Sequence, residues 1–169
     1  MRMMMRTVKC KNILADALKQ GCDTIITAGA AQSNHCRQTA AAAAKLNLQC
    51  HLLLGGDPPL KAQGNLLLDQ LFACRIHWTG TNRKGEDIPR LFAQLEAAGK
   101  NPYIVPYGGS NELGAMSFID AVAELEQQNK GSEFSHVIFA SSSGGTHAGL
   151  VLGKHIYNKT FELVGINID

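Results

Sequence analysis

Thr24-Ile-Ile-Thr-Ala-Gly-Ala-Ala-Gln-Ser-Asn-His-Cys-Arg-Gln38 carries an apolar run into a glycine, then four polar residues, then an alanine-rich segment. The apolar run predicts a short strand over 23–27. The segment from Ser33 to Leu46 predicts a helix whose alanines allow close packing. A helix N-terminus favours negative charge, and Gln32, Ser33, Asn34 and His35 place amide, hydroxyl and imidazole groups beside it. Such a cluster suits a carboxylate. Alternatively, Ser33 or Asn34 is simply the N-cap of the helix.

Outward from this turn the same alternation continues in both directions. Upstream, 8–20 predicts a helix with Ile13, Leu14, Ala17 and Leu18 on one face and Gly21 as its stop. Downstream, 49–54 predicts a strand ended by Gly55-Gly56-Asp57-Pro58-Pro59. A helix over 62–72 follows, with Leu66, Leu67, Leu71 and Phe72 inward, and then a strand over 75–79. After a polar loop at 80–85 come a helix over 88–98, a strand over 102–105 and a glycine loop at 108–111. A helix over 113–128, a strand over 137–140, a helix over 146–157 and a strand over 163–168 complete the chain. Strands separated by helices imply parallel pairing, so the expected fold class is α/β: doubly wound, mostly parallel, with alternating helices.

A second strand-to-helix turn stands at Val137-Ile-Phe-Ala-Ser-Ser-Ser-Gly-Gly-Thr-His-Ala-Gly149. Its glycines allow backbone N–H groups to converge on an anion, and Ser143 and Thr146 can add hydroxyl contacts. No lysine follows the glycines as in a P-loop, and Gly144-Gly145 followed by Gly149 lacks the G-x-G-x-x-G spacing. A tight turn capped by Thr146, without a ligand, is the plainer alternative. A third turn, Gly108–Asn111, lies at another strand end. His35 suits either a proton shuttle or a structural role, and His147 stays open. His136 and His155 read as structural.

A net charge of +2 with no long basic run, and 6% aromatic residues, give no support for nucleic-acid binding. No apolar stretch approaches the roughly 20 residues of a membrane span. Cysteines at 10, 22, 36, 50 and 74 form no C-x-x-C pair and no zinc spacing, which fits reduced, mostly buried thiols in a cytoplasmic protein. The start, Met1-Arg-Met-Met-Met-Arg6, has no secretory h-region and suggests a truncated or mis-started reading frame, with part of a targeting peptide as the alternative because no acid appears before Asp16.

Thr27-Ala-Gly-Ala-Ala-Gln-Ser-Asn-His-Cys-Arg-Gln-Thr-Ala-Ala41 closely resembles the D-cysteine desulfhydrase and 1-aminocyclopropane-1-carboxylate deaminase family. Pro106-Tyr-Gly-Gly-Ser-Asn-Glu-Leu-Gly114 and Ser141–Gly149 resemble later blocks of that family, in the same order. The resemblance covers nearly the whole chain. It implies a tryptophan-synthase β-type fold, present in part, and pyridoxal 5'-phosphate as cofactor. By the same resemblance Ser33 is the catalytic serine facing the substrate, and Asn34 bonds the cofactor's ring hydroxyl. Ser143, Gly144, Gly145 and Thr146 form the phosphate loop, and Gln32, Ser33, Asn34 and His35 contact the substrate. His35 matches the desulfhydrase branch. The implied reaction is β-elimination from a small amino acid such as D-cysteine, giving pyruvate, ammonia and sulfide, in a protein that is a homodimer when complete. The deaminase and cysteate sulfo-lyase activities are alternatives within the family.

The resemblance also carries a departure. An ungapped register places the family's Schiff-base lysine on Arg6, with Met5 at the preceding asparagine, and leaves Lys9 and Lys11 out of register as solvated helix residues. Arginine is charged and poorly nucleophilic and cannot take the lysine's place. A fragment of a lyase is therefore expected, with residues 12–110 as a smaller domain and 111–169 as part of a larger, cofactor-carrying one. A non-catalytic anion-binding remnant is one alternative. A dinucleotide enzyme using Asp169 for a ribose is another, and it leaves the Gln32–His35 cluster unexplained.

Overall fold

A computed structural model describes residues 8–129 and 134–168. Met5, Arg6 and Asp169 lie outside the described residues. The elements are α1 (Val8–Lys19), β1 (Thr24–Ala30), α2 (Asn34–Lys45), β2 (Gln49–Gly55), α3 (Gly64–Leu71), β3 (Arg75–Trp78) and α4 (Ile88–Ala97). They continue with β4 (Pro102–Ile104), a 3-10 turn (Tyr107–Gly109), α5 (Glu112–Asn129), β5 (His136–Ser141), α6 (Gly145–Ile156) and β6 (Glu162–Asn167). The chain forms two compact units, Ile13–Gly109 and Ser110–Asp169, the second joined by residues 1–12.

In the first unit the strands are all parallel, in the order β3-β2-β1-β4. β1 runs three residues beyond the Thr27 end expected from its apolar run. The ladder to β2 continues through Gly29 opposite Leu54 and Ala30 opposite Gly55, so a neighbouring strand extends what local composition would stop. One sheet face buries Ile26, Ala28 and Leu53 against Ile88, Leu91 and Leu95 of α4. α2 buries Cys36, Thr39, Ala40 and Ala43, small side chains that let the helix lie close to its neighbours.

α1, α2, α3, α4 and α6 all end the same way. Gly21, Asn47, Ala73, Gly99 and Asn158 take positive φ, and the next residue's N–H returns to a carbonyl five residues back. This closes the orphan carbonyls and delivers the chain to the following strand.

Two expectations of facing are corrected. α1 buries Cys10, Ile13, Leu14 and Ala17, an i, i+3, i+4, i+7 stripe that leaves Leu18 at its edge and exposed. α3 starts at Gly64 rather than Ala62 and buries only Leu66 and Asp69; Leu67 and Leu71 are exposed. Two turns of helix present one narrow i, i+3 stripe, and an aspartate occupies its second position.

In the second unit β5 and β6 pair in parallel. Val122, Leu150 and Phe161 form its core, flanked by Phe118, Val137, Phe139, Tyr157 and Leu163. α5 and α6 approach closely because Gly149 and Gly153 lack side chains. A Cβ at Gly149 would run into the Ala115 carbonyl oxygen, and one at Gly153 would stand 2.8 Å from Val122 Cγ2. No helix of the described residues is long and apolar enough to cross a membrane.

Candidate cofactor and substrate site

The first turn is shaped by one close approach. A Cβ on Gly29 would stand 2.7 Å from Cys36 Sγ and 3.0 Å from Ser33 Oγ, so only glycine lets β1 pass beneath the start of α2. Ser33 is the N-cap of α2, with extended backbone, and its Oγ accepts a hydrogen bond from Cys36 N at 3.2 Å. That bond occupies a lone pair and leaves the Ser33 hydroxyl proton able to donate outward. No acidic residue lies in the first turn of α2.

His35 is turned back toward the sheet, its Nε2 lying 2.8 Å from Thr27 Oγ1. Thr27 donates its only hydroxyl proton to the Val105 carbonyl oxygen at 2.9 Å, so the His35–Thr27 bond is donated by His35 Nε2–H. The next turn lies beside this imidazole: a Cβ on Gly109 would stand 3.5 Å from His35 Cε1, in ordinary contact.

Gln32 has a different task. Gln63, the N-cap of α3, makes no side-chain capping bond. Gln32 supplies the cap instead: Oε1 accepts from Asn65 N at 2.9 Å, and Nε2 donates to the Gln63 carbonyl oxygen at 3.0 Å. Asn65 returns the contact through Nδ2, which donates to the Gln32 carbonyl oxygen at 2.8 Å and to Asn34 Oδ1 at 3.1 Å. Gly64, at φ +56, fits because a Cβ there would stand 2.6 Å from Gln32 Oε1. Residues 32–35 thus gather at one helix start, and Asn65 joins them. Sequence reading missed Asn65. Its signal is a Gln-Gly-Asn opening a leucine-rich helix, which looks like an ordinary helix start until its partner is seen.

The second turn is organised within the second unit. α6 begins after Gly144, an N-cap in the left-handed region at φ +79 with no side-chain capping bond. This overturns one alternative raised from the sequence, a turn capped by Thr146. The helix has begun by Gly145, and Thr146 lies inside its first turn. Ser143 and Ser110 share a short hydroxyl–hydroxyl bond, which ties the first residue of this unit's 110–169 segment to this turn. A Cβ on Gly145 would stand 2.9 Å from Ser110 Oγ. His147 is exposed and stands edge-on to Phe139 at 5.2 Å between ring centroids. His136 pairs with Ser135 and Glu162 at the start of β5.

A phosphate fits this turn. α6 presents a helix start without a side-chain cap, it has no acidic residue in its first turn, and the Ser143 hydroxyl lies at the approach. The two out-of-register lysines are on α1, where Lys11 is exposed. Among the described residues no cluster of His, Cys, Asp or Glu could hold a metal.

The described residues form a parallel α/β fold in which two glycine-containing turns each lead from a strand into a helix start. The chain belongs to the pyridoxal-phosphate dependent enzyme family, whose profile matches residues 4–169. It is 43% identical over 168 residues to a D-cysteine desulfhydrase of Klebsiella pneumoniae (strain 342), covering 95% of this chain and 51% of that protein. It is 44% identical over 171 residues to a D-cysteine desulfhydrase of Serratia proteamaculans (strain 568), with the same coverage. The chain therefore spans about half the length of the curated relatives it matches. Among solved structures, an ACC deaminase homologue superposes with a TM-score of 0.87 at 36% identity, over 96% of this chain and 50% of that one. An O-ureido-L-serine synthase shares the fold at a TM-score of 0.68 and 14% identity, over 95% of this chain and 50% of that one.

Proposed function

We propose that this chain forms the part of a pyridoxal-phosphate-dependent D-cysteine desulfhydrase that carries the phosphate turn and the substrate-carboxylate turn. The observation that carries the reading is the 43% identity to a D-cysteine desulfhydrase across 95% of the chain. The geometry of residues 29–35 and 143–146 supports it. In this reading 12–110 is the substrate-facing domain and 111–169 part of the cofactor domain.

When bound, pyridoxal phosphate supplies the electron sink that lets an amino acid lose its α-proton and a β-substituent. Ser143, Gly144, Gly145 and Thr146 hold the phosphate at the start of α6, and Asn34 contacts the cofactor ring. The substrate carboxylate lies at the start of α2, where the helix dipole and the Ser33 hydroxyl favour it. Ser33 Oγ, fixed from one side by Cys36 N–H, holds its proton toward the substrate and is the catalytic residue. His35 orients the turn through Thr27, and Gln32 and Asn65 position it. The products are pyruvate, ammonia and sulfide. The complete protein is a cytoplasmic homodimer in this reading.

The register that puts Arg6 at the cofactor-lysine position favours a second reading, a chain that holds the cofactor without turning over substrate. One experiment separates them. The purified protein is mixed with pyridoxal phosphate, treated with borohydride and mapped by peptide mass, and sulfide release from D-cysteine is measured in parallel. Cofactor fixed to a lysine together with sulfide release supports the desulfhydrase. Cofactor bound but not fixed, with no sulfide, supports the binding reading. No uptake of cofactor overturns both.

A further inference from the structure

Cys50 and Cys74 are far apart in sequence and adjacent in the sheet. β2 and β3 pair in parallel with His51 opposite Arg75, so the residues just before them, Cys50 and Cys74, stand side by side. Residues in register on neighbouring strands project to the same face, and strands about 4.8 Å apart bring two Cα atoms within the range a disulfide requires. Cys74 and burial together push the Cys50 thiol well above its ordinary pKa. Their access differs: Cys50 is buried, whereas Cys74 is partly exposed. Cys74 is also held in place. Ala73 takes φ +58, and Cys74 N–H donates to the Asp69 carbonyl oxygen at 3.1 Å, so the thiol is fixed by the end of α3 rather than by a loose loop.

Asp69 supplies the third part. It is 1% exposed, and neither carboxylate oxygen has a hydrogen-bond partner. Its charge acts on Cys50, and burial pushes its own pKa up to about 6 against the pull of the Arg37 guanidinium. A buried carboxyl with no partner is costly to keep unless it exchanges protons.

We infer that Cys50 and Cys74 form a thiol–disulfide exchange site for small-molecule disulfides, with Cys74 as the attacking thiol, Cys50 as the resolving thiol and Asp69 as the proton acceptor. In the first step Cys74 thiolate attacks one sulfur of a disulfide RSSR, a Cys74–SR bond forms, and RS⁻ leaves and is protonated to RSH. In the second, Cys50 passes its proton to Asp69 and attacks the Cys74 sulfur, and the second RS⁻ leaves and takes up a proton. Two protein thiols are oxidised to one disulfide while RSSR is reduced to two RSH. The neighbouring Cys74, burial and, least of these, the Asp69 charge hold Cys50 in its thiol form, so its attack depends on contact with Cys74 rather than on solvent. The product disulfide would tie the edge strand β3 to β2.

The test uses glutathione disulfide as the probe. After incubation the remaining thiols are blocked and the folded chain is digested without reduction. The expected result is a loss of two of the five thiols and a Cys50–Cys74 linked peptide. Cys50→Ser is expected to stop at a persistent glutathione adduct on Cys74, and Cys74→Ser to take up no glutathione at Cys50. Asp69→Asn is expected to slow conversion of adduct to disulfide several-fold at neutral pH without changing adduct formation. A stable adduct on Cys74 in the unsubstituted chain, a Cys36–Cys50 link, or no reaction overturns the inference. The test is independent of cofactor binding and of lyase activity.

Discussion

Asn65 and Gln32 hold one another through both backbone and side chain: Asn65 N donates to Gln32 Oε1 at 2.9 Å, and Asn65 Nδ2 donates to the Gln32 carbonyl oxygen at 2.8 Å. Through this pair the polar quartet at the start of α2 is fastened to the start of α3. Asn65→Ala and Gln32→Ala should each lower stability by about 1 kcal/mol, the typical net worth of such bonds. Because each side chain holds the other residue's backbone, losing one loosens the bonds of the other, and the double variant should lose clearly less than the sum. Urea unfolding midpoints of the four proteins give the coupling; strict additivity would show that the two residues act separately.

Ser33 has two roles that substitution can separate. As N-cap it stabilises α2 by about 1 kcal/mol, and asparagine caps equally well. Ser33→Ala should therefore lose this stability, whereas Ser33→Asn should retain it. Under the proposed desulfhydrase function both should lose sulfide release from D-cysteine, because neither carries the hydroxyl. Retained activity in Ser33→Asn would reduce Ser33 to a cap.

Gly29→Ala places a methyl group against Cys36 Sγ and Ser33 Oγ. Relief requires the α2 start to move, at a cost of about 1–3 kcal/mol for overpacking. Thermal unfolding checks this. An unchanged melting temperature would mean that the turn yields without cost.

Two buried groups give opposing pH dependences. Asp69 is raised by burial from 3.8 to about 6, so its contribution is full below pH 3.8 and is lost as pH rises through 6. Asp69→Asn should remove that loss and stabilise the fold at neutral pH by up to roughly 3 kcal/mol. His51 lies 3.0 Å from His77 through Nδ1, and its Nε2 has no partner. Burial and the neighbouring His77 lower its pKa from 6.5 to about 4, so its contribution is present above pH 6.5 and is lost as pH falls through 4. His51→Leu should flatten the acid limb alone. Stability measured from pH 4 to 7 for both variants checks the assignments; slopes that do not separate would sink them.

Much of the architecture was legible because αβ alternation leaves period and punctuation in the chain. Helix ends at Gly21 and Gly99 could be read from residue type, since glycine takes positive φ readily. The same ending at Ala73 could not, because alanine gives no local sign of it and only the Cys74–Asp69 bond enforces it. The inward face of α3 was misread for a related reason: four leucines in eight residues satisfy any face, and packing selected Leu66 with Asp69.

The sequence by itself determined the parallel α/β alternation, the two glycine turns and the family, because apolar period, turn residues and motif order are local properties of the chain. The tertiary structure decided what each polar residue in those turns does. Gln32 became a cap for a distant helix, His35 a partner of Thr27, and Gly144 rather than Thr146 the start of α6. It also set Cys50 beside Cys74. Hydrogen-bond partners and strand register join residues remote along the chain, and only the packed fold brings them within reach.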